Sequence, residues 1–238
     1  MRKNILTLLL LYFIPFGLFA QSLAPKSQGE IVEHKYYTLA YAEEHEQALW
    51  VHYHLTSEML ETSVKRKDNF RADPSVKTGS ATPANYTKSG YDRGHLCPAA
   101  DMGANAESMS ESFFMSNMSP QAPSFNRGGW KRLEEQVRTW AKQKGEIYVT
   151  TGPVFSDNIG SIAGNVTVPG YYYKVIYDPA TERAYASIMP NAKIEGSLDA
   201  FSTTVDRVEE LTGIDFLEEL SDELENRIEA QKVSMSSF

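Results

Sequence analysis

Between residues 126 and 142 the apolar side chains of Trp130, Leu133, Val137 and Trp140 recur at helical spacing, which predicts an amphipathic helix with one wide buried stripe. Such a stripe needs a second layer to cover it. Residues 35–40 and 49–56 read as strands. Within 49–56, Trp50, His52, His54 and Thr56 alternate with Val51, Tyr53 and Leu55. Residues 147–151 read as a buried strand ending at Gly152-Pro153, and 171–177 and 183–189 flank a hairpin-like turn at Asp178-Pro179-Ala180-Thr181-Glu182. A late amphipathic helix is expected through Leu198, Phe201, Val205, Val208 and Leu211, stopped by Gly213, and an acidic helix over 216–230. The expected class is α+β, a mixed and mostly antiparallel sheet flanked by helices.

The start of the chain has the pattern of a secretory signal. Arg2 and Lys3 precede an almost unbroken apolar run to Phe19, and small or polar residues follow at Ala20, Gln21 and Ser22. The run is short for a membrane span and contains Pro15 and Gly17. The expectation is therefore removal of residues 1–20 and export to the periplasm or medium, with no stable membrane anchor. Of the 238 residues, 21–33 are polar and expected to be disordered, 34–232 to form a single domain, and 233–238 to be a flexible tail. One cysteine, Cys97, excludes an intramolecular disulfide, so packing must carry the stability.

The formal charge is −8, and loss of Arg2 and Lys3 with an acid-free leader would make it −10. That balance is unfavourable for a polyanionic partner unless the charge is segregated. It is: Lys65, Arg66, Lys67, Arg71, Arg93, Arg127, Lys131, Arg132 and Arg138 fall in the middle of the chain. Glu209, Asp215, Glu225 and Glu229 are among the acids crowding its end. A basic face on an acidic protein can still attract a polyanion.

Two stretches carry candidate chemistry. Residues 61–90 are an irregular, basic connection that leads into Gly90-Tyr91-Asp92-Arg93-Gly94-His95. There His95 could accept a proton from water and Arg93 could hold an oxyanion through parallel hydrogen bonds; the same residues would also make an ordinary polar turn. In the amphipathic helix, Glu134 and Arg138 lie together on one flank of the stripe, with Asn126 at the helix start. As ordinary features these are an N-cap and an i,i+4 salt pair. Together the two stretches fit metal-assisted phosphodiester cleavage, because an amide oxygen is a hard ligand suited to Mg²⁺ and a nearby carboxylate can hold the ion's waters. His52 and His54 share one strand face, a spacing that some metal hydrolases use for two ligands. Cys97, two residues after His95, is read as a small buried thiol in preference to a nucleophile.

Asp92-Arg93-Gly94-His95, Ser116-Asn117 with Pro120-Gln121, and Asn126-Arg127-Gly128-Gly129-Trp130 leading to Glu134 and Arg138 resemble the DNA/RNA non-specific endonuclease family of the ββα-metal fold, the Serratia nuclease and endonuclease G type. The likeness runs from about Trp50 to Phe216. It implies His95 as general base, Asn126 as the single protein ligand of the metal and Glu134 acting on that metal through water. It implies Arg66, Arg93 and Arg138 as substrate-binding and catalytic arginines, with Arg71 an alternative to Arg66, Asn117 as a supporting active-site residue and Asp92 as structural.

The resemblance further implies Mg²⁺, with Mn²⁺ able to substitute, DNA and RNA as substrates, and products with 5′-phosphate and 3′-hydroxyl ends. The sequence leaves the oligomeric state open, with a homodimer among the options. Two rival readings stand beside the resemblance: a metallohydrolase using His52, His54 and His95 on a small substrate, and a non-catalytic nucleic-acid-binding module.

Overall fold

The alternating run read at 49–56 lies inside a central strand of the structure, a computed structural model that describes residues 23–26, 29–61 and 64–238. β1 (Glu30–Glu33), β2 (Thr38–Ala42) and β3 (Gln47–Thr56) form an antiparallel meander. A two-stranded ribbon follows, β4 (Asp92–His95) against β5 (Met118–Gln121), with α1 (Ala106–Glu111) in the connection between them. A π-helical turn at Phe125–Trp130 leads into α2 (Lys131–Lys144), which ends at Gly145 with φ 89°. β6 (Glu146–Ser161), β7 (Thr167–Asp178), β8 (Arg183–Pro190) and the short β9 (Ser202–Thr203) complete a seven-stranded antiparallel sheet in the order β1-β2-β3-β6-β7-β8-β9. The chain closes with α3 (Val205–Thr212) and α4 (Asp222–Glu229).

Period-two alternation sorts the strand side chains onto two faces. Val51, Tyr53 and Leu55 of β3, with Tyr172 and Ile176 of β7, share one core with Trp130, Leu133, Val137 and Trp140 of the helical segment. Trp50, Tyr173, Val175 and Tyr177 face the other way, into a second core with Val205, Val208 and Ile228 of α3 and α4. The helical stripe is thus covered as the periodicity requires, and its four apolar residues are at most 3% exposed. The sheet is buried on both faces, which gives a three-layer α+β arrangement.

Several expectations are corrected. Residues 21–33 are not uniformly disordered: Glu30–Glu33 pairs with β2 as an edge strand, and Leu23 is buried in the second core. The tail is not loose, because Phe238 packs edge-on against Trp140 with ring centroids 4.8 Å apart, and the backbone N–H of Met235 donates to Asp199. The strand expected to stop at Gly152-Pro153 continues to Ser161, since β7 pairs with it beyond that point. The late helix is split: Leu198–Phe201 is a 3₁₀ turn, Ser202 and Thr203 are drawn into the sheet beside β8, and Thr204 caps a separate α3. The final acidic helix begins only at Asp222, capped by Ser221. The connection before β4 is irregular as read, apart from a 3₁₀ turn at Pro83–Tyr86. The leader read at 1–20 lies outside the described residues.

Candidate active site

A cavity of about 380 Å³ opens where the β4–β5 ribbon meets the start of α2, and its walls include Arg66, Arg93, His95, Asn126, Arg127, Lys131, Glu134 and Arg138. Five cationic side chains face a single carboxylate there, on a chain whose net charge is −8. The segregation read in the sequence becomes a local positive basin.

β4 sets the first part of this arrangement. Arg93 and His95 are two residues apart on one strand, so both project to the same side. Both meet Phe70: the Arg93 guanidinium lies 4.3 Å from its ring centroid and the His95 ring 5.7 Å away. Phe113 adds an edge-on contact to His95 at 5.0 Å and carries the Arg66 guanidinium over its ring at 5.1 Å. Between the two functional residues, Gly94 must be glycine, because a Cβ there would stand 2.2–2.5 Å from the side chain of buried Gln121.

The His95 backbone is held from behind. Trp130 donates its indole N–H to the His95 carbonyl at 3.3 Å. Asn117 is fully buried; its Nδ2 donates to the carbonyls of Cys97 and Ser112, and its Oδ1 accepts from the Cys97 N–H at 2.8 Å. Asn117 is therefore committed to backbone and lies behind the cavity wall. Enclosure among aromatic rings, followed by the Arg66 charge, lowers the His95 imidazole to about 3, partly opposed by Asp68. His95 is thus neutral at physiological pH. Its Nε2 is enclosed without a hydrogen-bond partner.

Asp92, the first residue of β4, reaches the π-helical turn. It accepts from Asn126 Nδ2 at 2.9 Å and from Arg127 through two bonds of 2.8 and 2.6 Å. Burial acts to raise its carboxyl, but the Arg127 and Asn126 bonds outweigh it and hold the group below the usual range. Fixing the amide nitrogen on Asp92 leaves Asn126 Oδ1 as the acceptor turned away from it, a hard oxygen on a cavity wall shared with Glu134. That donor set fits a small oxygen-seeking divalent ion such as Mg²⁺.

One turn apart on α2, Glu134 and Arg138 line the same wall. Arg138 donates to Asp101 at 2.8 Å, and Asp101, wholly buried, also accepts from Tyr53 at 2.8 Å. The guanidinium is therefore braced on its inner side. Arg66 faces the cavity, whereas Arg71 stacks on Phe114 at 3.9 Å and donates to the Asn69 and Ser110 carbonyls. Of the two, Arg66 is the one on the cavity wall.

Lys174 escaped the sequence reading. On β7 it is 0% exposed, with Nζ 4.5 Å from the Trp130 ring centroid and no hydrogen-bond acceptor. A charge standing alone in the apolar run Tyr171-Tyr172-Tyr173-Lys174-Val175-Ile176-Tyr177 was the available signal. Burial, most of all, pushes Glu134 up to about 7, and Lys174 is the strongest influence opposing that rise. Activity that needs ionised Glu134 falls as pH drops through its pKa, and that pKa rises once Lys174 is gone. Lys174→Met should therefore move the acid limb of the kcat/KM profile upward by about half a unit or more. An unmoved limb in the folded variant would reduce Lys174 to packing.

His52 and His54 do not join this site. They project to the sheet face opposite the His95 side, sharing it with Trp50, and are spent locally: His52 on Thr150 at 2.8 Å and His54 on Glu146 at 2.7 Å. The three-histidine metallohydrolase is overturned by this separation. Cys97 is buried, and burial pushes its thiol well above the ordinary value, so it is inert as read.

Known proteins resemble this chain over most of its length. The sequence model of the family described as DNA/RNA non-specific endonuclease matches residues 15–223. Nuclease C1 of Cunninghamella echinulata var. echinulata is 36% identical over 216 residues, covering 82% of this chain and 86% of the relative. A nuclease of Serratia marcescens is 30% identical over 220 residues, covering 86% and 81%, and human mitochondrial endonuclease G is 32% identical over 201 residues, covering 76% and 67%. Among solved structures, a chain of an EndoG/EndoGI inhibitor complex superposes with a TM-score of 0.76 at 30% identity, covering 82% of this chain and 88% of that one.

Proposed function

This chain belongs to the DNA/RNA non-specific endonuclease family, whose members are divalent-metal-dependent, and from that premise we propose a Mg²⁺-supported hydrolysis of DNA and RNA in which His95 is the general base and Asn126 the metal ligand. The observation that carries this reading is the cationic cavity that brings together His95, Asn126, Glu134 and four arginines.

Neutral His95 takes a proton from the attacking water as the new bond to phosphorus forms. The bond from phosphorus to the 3′-oxygen breaks in line with it, leaving 5′-phosphate and, after the 3′-oxygen takes up a proton from solvent, 3′-hydroxyl ends. Arg66, Arg93 and Arg138 hold the non-bridging oxygens and offset the charge that gathers on them. Among the described residues no carboxylate pairs with Arg93, so its fork is free for phosphate. Asn126 Oδ1, with Glu134 acting through water, would hold a hard divalent ion, Mg²⁺ or Mn²⁺ in its place, and that ion would supply Lewis-acid polarisation of the phosphoryl group. Asp92 keeps the amide turned for that role. Residues 1–20 would direct the chain out of the cytoplasm, the nuclease domain would include β1 and the packed C-terminal tail, and both monomer and homodimer suit this chemistry.

The expected result is nicking of closed circular DNA and cleavage of RNA, both stopped by EDTA and restored by Mg²⁺ or Mn²⁺. Retention of DNA cleavage in EDTA, or a requirement for a free DNA end, would refute the proposal. A chain that bound DNA without cutting it would instead be a nucleic-acid-binding module.

A further inference from the structure

On the sheet face opposite the cationic cavity, α3 and α4 bring a second set of charged groups together. Asp206 and Glu209 stand at i and i+3 on α3, and Glu225 and Glu229 at i and i+4 on α4, so each pair shares one helical face. Asp215 lies in the loop between the helices, just beyond Gly213, which ends α3 in a left-handed conformation at φ 68°. Oxygens of Asp206, Glu209 and Glu229 all lie within 4.8 Å of one another, and the same holds for Asp215, Glu225 and Glu229. Glu229 belongs to both groups. It is 6% exposed, and its Oε1 is enclosed with no hydrogen-bond donor.

An orphaned carboxylate oxygen in a buried position is costly unless a cation or a proton compensates it. The chain brings no cation of its own. Arg207 pairs outward with Glu210 and Arg227 with Glu182, and among the described residues no ion pair reaches any of the five acids. Glu209 also accepts from the Phe216 backbone N–H at 2.8 Å, which steadies the loop that carries Asp215.

We propose that this cluster is a structural calcium site, with Glu229 as the shared ligand and Asp206, Glu209, Asp215 and Glu225 completing the oxygen shell. All the donors are hard carboxylate oxygens, with no imidazole or thiolate to select a softer metal. Calcium accepts six to eight such ligands in irregular geometry, whereas magnesium demands a near-ideal octahedron and keeps its waters. Burial, followed by repulsion from Glu209, Glu225, Asp206 and Asp215, pushes the Glu229 carboxyl up to about 9, as expected of a set of like charges that lacks its counter-ion. An ion there would tie α3, the 213–217 loop and α4 into one clamp over the second core.

The test is thermal unfolding and calorimetric CaCl₂ titration of the full chain at pH 8. An Asn126→Ala background removes binding in the catalytic cavity. Calcium at about 100-fold its Kd should raise the Tm by about 5–10 °C in both the wild-type and Asn126→Ala chains. Glu229→Gln should abolish that shift and weaken calcium binding at least tenfold, while leaving cleavage in Mg²⁺ within a few-fold. In chelator the order reverses, with Glu229→Gln melting at or above the wild type because a neutral amide relieves the repulsion. Should Glu229→Gln fail to fold, exposed Asp215→Asn carries the same comparison. No calcium shift in the Asn126→Ala chain, or an undiminished shift in the cluster variants, would overturn the site. An equal shift from MgCl₂ at the same concentration would overturn its assignment to calcium.

Discussion

His95→Ala is expected to lower single-turnover cleavage by about 10²–10⁴-fold, the usual contribution of a positioned general base. DNA binding and metal affinity should stay nearly unchanged, because Arg66, Arg93, Arg138 and Asn126 all remain on the cavity wall. Metal titration by calorimetry beside the cleavage rate separates the two effects. His52→Ala and His54→Ala should both stay active, since they lie across the sheet from the cavity. Loss of metal binding in His95→Ala would make His95 a ligand and remove its role as base.

The same residue should leave a mark on acid stability. Its folded value of about 3 lies below the ordinary 6.5, so the unfolded chain binds the proton more readily between them. The stability associated with neutral His95 is fully present above about pH 6.5 and is lost as pH falls towards 3. His95→Ala should lack that component, giving a flatter dependence of Tm on pH over this interval.

The second large effect is expected from Asn126→Ala, which should weaken metal binding by about 100-fold or more while the fold survives. The side chain lies on the cavity wall, with one hydrogen bond, to Asp92, so its loss leaves little buried debt. Raised Mg²⁺ should partly restore cleavage, which is the sign of lost affinity with the base still intact. Asp92→Ala should produce a milder form of the same defect, about 10–100-fold in metal affinity, because it frees the amide that Asp92 orients. Unchanged metal affinity in Asn126→Ala would remove it as the ligand and leave Glu134 as the direct contact.

What was legible before the structure was what local order encodes. Helical spacing marked the stripe of Trp130, Leu133, Val137 and Trp140, and all four are buried together. The same spacing put Glu134 and Arg138 on one flank. The ordered motifs from Asp92 to Arg138 pointed to the family that the comparisons show. Each of these depends on residues a few positions apart, where backbone geometry alone fixes relative direction.

The tertiary structure decided everything that depends on which layer covers which face. Periodicity placed His52 and His54 together but could not say that His95 lies on the other side of the sheet. It could not separate Arg66 from Arg71, because one stacks over Phe113 at the cavity and the other over Phe114 away from it. The same limit hid Lys174 beneath Trp130, the anchoring of the tail by Phe238, and the commitment of Asn117 to the Cys97 and Ser112 backbone. These outcomes rest on contacts between residues tens of positions apart. A sequence records the apolar face of each element, and only packing determines which partner that face meets and which polar groups are enclosed with it.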